Sequence, residues 1–187
     1  MSHGQNVCMS NEAQGYSKEE LDEAQDRHNL SFPPDLIDTL LKARIPDGYD
    51  WTKDHDQIRE RLEWPFEMLL SDVENGFWWP DFGDRPQNTE DCKTVLREYL
   101  DRQPRLIPLS GHRFIPDSPN AAGNPVFSMH GFDTIYYGAN LEQWLRNEFM
   151  DEWNIGTVKR ISFWSDIAED HETPYSFYQT ANPDEFG

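Results

Sequence analysis

At 187 residues the chain has the length of one domain, and its 7 Trp, 7 Tyr and 11 Phe supply apolar surface that disordered chains lack, even at a mean hydropathy of -0.84. The formal net charge is -19, from 35 acids against 16 Lys and Arg, which argues against nucleic acid and anionic membrane as ligands, because both must be gripped by clustered basic side chains. Acidity by itself serves solubility, and its functional reading is a basic protein partner steered by a complementary field.

Residues 1–16 are polar and aperiodic and read as a flexible leader. They hold no basic stretch followed by an apolar one, and no window approaches ~18 consecutive apolar residues, so a soluble cytoplasmic protein is expected. Cys8 and Cys92 stand far apart, which suits neither a disulfide framework nor a four-ligand zinc site.

A domain is predicted over 17–165. Ser17 and Glu20 form a capping box ahead of Leu21, Ala24 and His28 at helical spacing. A second helix starts at Pro34, places Leu36, Ile37, Leu40 and Leu41 on one stripe, and stops before Pro46 and Gly48. Ile58 and Leu62 mark a third, which Pro65 is expected to end or kink before another helix carrying Phe66, Leu69, Leu70 and Val73 runs to Gly76.

Next comes "ENGFWWPDFGDRP", residues 74–86, where Phe77, Trp78, Trp79 and Phe82 follow neither a helical nor a strand period. Either the stretch is an exposed platform for a ligand or it is a plug that finishes a core. The plug is favoured, with Trp78 or Trp79 inward and Asp81 and Asp84 at the wet edge, because four large aromatics are costly to leave in water. Cys92, Val95, Leu96, Tyr99 and Leu100 then define an amphipathic helix capped by Asn88 or Thr89 and ended by Pro104.

From residue 105, "RLIPLSG", "HRFIP", "NPVFSMHG" and "DTIYYGA" are short apolar runs between turn residues, which are strand signals at close spacing. "ANLEQWLRNEF" returns to helical spacing behind an Asn140 cap, with Leu141, Trp144 and Leu145 inward, while "KRISFWSDIAED" fits a strand or a short helix equally. Residues 166–187 read as an acidic C-terminal tail or an appended element. Helices, then close-spaced strands, then a helix give a single α+β domain whose antiparallel sheet is flanked by helices.

Candidate chemistry is sparse. The sequence has no phosphate-cradling glycine loop, no nucleophile elbow and no metal-binding His pair at helical spacing, so no cofactor and no metal are expected. Ser128, His130 and Asp133 contain the residue types of a hydrolytic triad, although Gly131 suggests that the strand ends there and that these are ordinary strand-end polar residues. Glu74, Asp81 and Asp84 are the acids nearest the aromatics, as in a sugar site, but no spacing establishes the carboxyl separation that glycoside hydrolysis needs.

His112 and Arg113 are the densest polar pair of the strand region. They offer a fork for a partner's carboxylate; the structural alternative has Arg113 satisfying carbonyls or an acid such as Asp117 across a turn. The partner-binding candidates are therefore Trp78, Trp79, Asp81, Asp84, His112 and Arg113, with Asp22, Glu23, Asp26 and the tail acids as steering charges.

The order "FWWPDFGDRP", "PRLIPLSGHRFIPDSP", "GNPVFSMHGFDTIYYGANL" and "LRNEF" resembles the SUKH superfamily of Smi/Knr-like domains, in its bacterial branch. The likeness spans about residues 18–165, and "GHRFIP", "GNPVFS" and "IYYG" are its most specific parts. It implies an α+β domain without a catalytic centre. Many bacterial members are immunity proteins that bind and neutralise secreted toxins, often nucleases, and eukaryotic relatives are scaffolds in signalling to cell-wall synthesis. The expected function is thus a non-enzymatic protein-binding domain, immunity-like, with a scaffold as the alternative and a small sugar- or nucleotide-processing enzyme as a third reading. The polar leader and the acidic tail depart from the family's pattern.

Overall fold

The computed structural model describes residues 14–150 and 152–170. In chain order it contains α1 (Lys18–His28), α2 (Pro34–Lys42), α3 (His55–Glu74), a 3-10 turn (Pro80–Phe82), α4 (Thr89–Leu100), β1 (Leu106–Ser110), β2 (Arg113–Pro116), β3 (Val126–Ser128), β4 (Ile135–Gly138), α5 (Leu141–Phe149) and α6 (Trp164–Glu169). The strands form one antiparallel meander in the order β1-β2-β3-β4, so the α+β class expected from the sequence is the one observed. Among the described residues no helix is long and apolar enough to cross a membrane.

Alternation along the strands divides the interior in two. Leu106, Phe114 and Phe127 point into a cluster built with Phe66, Leu69 and Val73 of α3, Leu96 of α4 and Ile167 of α6. Their neighbours Ile107, Ile115 and Val126 point the other way, into a second cluster with Leu21 of α1, Leu36 and Leu40 of α2, and Leu141 and Trp144 of α5. Antiparallel sheets commonly keep one wet face. Here helices cover both.

Local signals explain most helix ends. The Ser17–Glu20 capping box forms as predicted, and Asn88 and Asn140 accept from the amides of Asp91 and Gln143 to cap α4 and α5. Leu41, expected on the buried stripe of α2, is 39% exposed, since it lies roughly 100° around the helix from Leu40. The expected break at Pro65 does not occur: α3 runs unbroken for 20 residues with Pro65 inside it. Proline removes one main-chain hydrogen bond there. The helix survives because both sides are anchored, Ile58 in the second cluster and Phe66, Leu69 and Val73 in the first.

The ambiguous segment before residue 170 resolves as helix α6, whose Ile167 and Ala168 are buried beyond the predicted boundary at 165. Tyr16, the last residue of the predicted leader, is buried too, with the Arg44 guanidinium 4.3 Å over its ring. The rest of the leader, 1–13, and of the tail, 171–187, lies outside the described residues. α5 sits unusually close to the sheet. A Cβ at Gly138 would stand 2.6 Å from the Trp144 amide nitrogen, so only glycine lets the helix approach β4 this way.

Candidate functional site

The aromatic stretch is a plug. Phe77, Trp79 and Phe82 are buried among residues brought from distant parts of the chain. Trp79 stacks on Phe132 at 5.6 Å and 12°, Phe77 meets the same ring at 4.1 Å, and Phe82 meets Tyr99 edge-on at 4.9 Å. The 3-10 turn at Pro80–Phe82 lets the connection double back, and Gly83 leaves it at a φ of 80°, a conformation that favours glycine. Arg85 donates to the carbonyls of Val73 at 2.9 Å and Gly76 at 2.5 Å, tying the far end of the plug to the end of α3.

Trp78 is the one half-buried member of the four. Its ring packs edge-on against Phe82 at 5.2 Å, and its Nε1 donates to the Gly83 carbonyl at 2.7 Å. Asp81 and Asp84 lie at the exposed edge, as does Glu74. Trp79 is therefore inward and Trp78 at the rim.

The second predicted pair occupies the far end of the sheet. Arg113, Ser128 and Ile135 are cross-strand neighbours on β2, β3 and β4. Arg113 donates through Nε to Glu148 of α5 at 3.0 Å and through Nη1 to Ser128 Oγ at 2.9 Å, and its guanidinium lies 3.7 Å over the Tyr137 ring. Trp144 Nε1 donates to the same Glu148 oxygen at 3.2 Å. The acid that satisfies Arg113 is thus Glu148 and not Asp117, whose carboxylate accepts instead from the Arg105 amide at 3.0 Å. His112 is exposed at the adjacent turn; partial burial, then the charges of Arg113, His130 and Arg61, hold its imidazole below the usual histidine range.

No hydrolytic arrangement assembles. Ser128 is engaged by Arg113, His130 and Asp133 are exposed, and among the described residues the three share only a main-chain bond, from the Asp133 amide to the His130 carbonyl at 3.1 Å. Among the described residues no group of three or more His, Cys, Asp and Glu is placed to hold a metal ion. An open cleft of about 470 Å³ between α3, α4 and the start of β1 is lined by Phe66, Leu100 and Trp164; of its two carboxylates, Glu63 is tied to Arg97 at 2.7 Å and Asp101 is exposed. The shifted carboxyls lie elsewhere and have local causes. Burial raises Asp117. Burial also acts to raise Asp50, but hydrogen bonds from Thr52 and Arg44 overcome it and hold that group at about 2.

The surface that sequence reasoning passed over lies just beyond α5. Among the described residues five large apolar side chains are exposed: Leu41 on α2, Ile135 on β4, two strands from Arg113, and Phe149, Met150 and Trp153 at and just after the end of α5, which carries Glu148. Trp153 meets the Tyr137 ring edge-on at 4.9 Å, and Phe149 meets Trp144 at 5.9 Å. Buried Asn147 holds this corner: its Nδ2 donates to the carbonyls of Tyr137 at 2.9 Å and Asn154 at 3.0 Å, and its Oδ1 accepts from the Asn154 amide at 3.1 Å. The signal was an aromatic after the helix stop, "FMDEW", but nothing local says that it misses the core. No family model matches the chain, and neither a curated protein nor a solved structure matches it.

Proposed function

We propose that the chain is a non-enzymatic protein-binding domain of the SUKH type, an immunity-like protein that acts in the cytoplasm and neutralises a basic toxin domain, a nuclease being the best fit in charge. The observation that carries this reading is where the charge and the apolar mass lie. Both sheet faces carry a buried cluster of side chains, whereas the outer faces of α1, α3 and α4 expose Asp22, Glu23, Asp26, Glu60, Glu67 and Glu98. A surface at -19 competes for the cationic groups that a nuclease uses on phosphate and steers their encounter.

The test is co-expression with the toxin domain encoded beside its gene, in cells that the toxin otherwise kills. Restored growth, with a complex that forms faster at low salt than at high salt, is the expected result. Death of cells that contain the folded protein contradicts the reading.

A further inference from the structure

We infer that the apolar corner beyond α5, centred on Trp153, is the docking surface, and that it takes a Lys- or Arg-bearing segment of a basic protein next to an apolar anchor. The inference rests on the reading of the chain as a binder of basic proteins and adds to it the face that does the binding.

Three independent features meet there. Trp153 is 57% exposed; its ring rests edge-on against Tyr137 at 4.9 Å, and Asn147, itself only 8% exposed, ties down the adjoining backbone by binding both main-chain groups of the next residue, Asn154. A tryptophan held open by a buried clasp is pre-organised, so a partner loses little by ordering it. Tyr137, which meets it, and Phe149 and Met150, exposed at the end of α5, are of the types enriched at the centre of protein interfaces.

The second feature is a hollow of about 660 Å³ walled by Glu142, Gln143, Arg146, Glu152, Trp153 and Asn154. An incoming ammonium or guanidinium would meet an aromatic residue and carboxylates in one wall, the combination that Arg113 already finds in Tyr137 and Glu148 inside the chain.

The third is the sign of the rim. Glu142 and Glu152 share one guanidinium, that of Arg146, at 3.0 and 3.5 Å, which leaves the hollow net negative within a chain at -19. A second copy would bring the same charge to the same place and be repelled. A basic partner would not.

The experiment selects a phage-displayed random dodecapeptide library on the full-length chain and measures the enriched peptides, made synthetically, against the wild type, Trp153→Ala and the Glu142→Gln/Glu152→Gln double variant. The account expects peptides that combine Lys or Arg with an aromatic or aliphatic residue. Affinity should fall about 30-fold in Trp153→Ala at an unchanged melting temperature, and in the double variant it should fall mainly at low salt. Basic peptides that bind Trp153→Ala as well as wild type would overturn the assignment of the face and leave the basic-partner reading standing; acidic or neutral peptides would overturn both. Dimerisation abolished by Trp153→Ala would give the face to a second copy. A full-length variant with Tyr175→Ser, Phe177→Ser and Tyr178→Ser that binds the peptides ten-fold tighter would give it to the chain's own C-terminal segment. Either result contradicts the inference.

Discussion

Phe77, Trp79 and Phe82 are 6–8% exposed, whereas Phe149, Met150 and Trp153 are 39%, 63% and 57% exposed, although both runs lie at a helix end and both are flanked by acids. The first run bridges α3 and α4 and meets Phe132 from the β3–β4 connection, Tyr99 from α4 and Phe163 from the start of α6. The second lies at the end of α5, where Tyr137 meets Trp153 and Trp144 meets Phe149. Aromatic density therefore marks where apolar surface is concentrated. Whether that surface becomes core or interface depends on what the rest of the chain brings to it.

Gly138→Ala separates the two runs by moving one and sparing the other. The new methyl group meets the Trp144 backbone at the start of α5, so the helix must shift from β4 and carry the outer run with it, while the plug on the opposite face of the sheet is untouched. A loss of about 1–3 kcal/mol in chemical denaturation is expected, with chemical-shift changes concentrated in α5 and residues 152–156. Changes of equal size around Trp79 would show that the two regions are not independent.

His28 sharpens the contrast with a buried aromatic that is also polar. It is 7% exposed, its Nε2 has no hydrogen-bond partner among the described residues, and it lies 5.8 Å from His55 and 6.2 Å from Trp51, ring to ring. Burial first, then the charges of His55, Arg27, Arg59 and Arg105, lowers its pKa from the ordinary 6.5. The unfolded chain therefore takes up this proton at a higher pH than the folded one. Stability is fully present above about pH 6.5 and declines as pH falls from there toward the folded value. The melting temperature should drop over that window, and His28→Phe should flatten the drop; an unchanged slope in that variant would show that other groups set it.

The elements that were legible in the sequence are those whose cause is local. Ser17 with Glu20, Asn88, and Asn140 each announce a helix start within three or four residues, and the β1–β4 runs are bounded by their own turn residues. The continuity of α3 through Pro65 was not legible, because it depends on two cores that lie far away in sequence. The same holds at the candidate site. Arg113 finds its acid 35 residues on, and the clasp that presents Trp153 joins Asn147 to both β4 and Asn154. Spacing rules see the residue types of such contacts and not their meeting.

The most direct test of the account compares the denaturant unfolding of Trp79→Ala and Trp153→Ala under one set of conditions. Removal of Trp79 should cost ~3–5 kcal/mol, as for a large aromatic packed on all sides, and removal of Trp153 should change stability by no more than about 0.5 kcal/mol. Equal losses, or a larger loss for Trp153, would contradict the division into a core-finishing plug and an outward-facing docking corner.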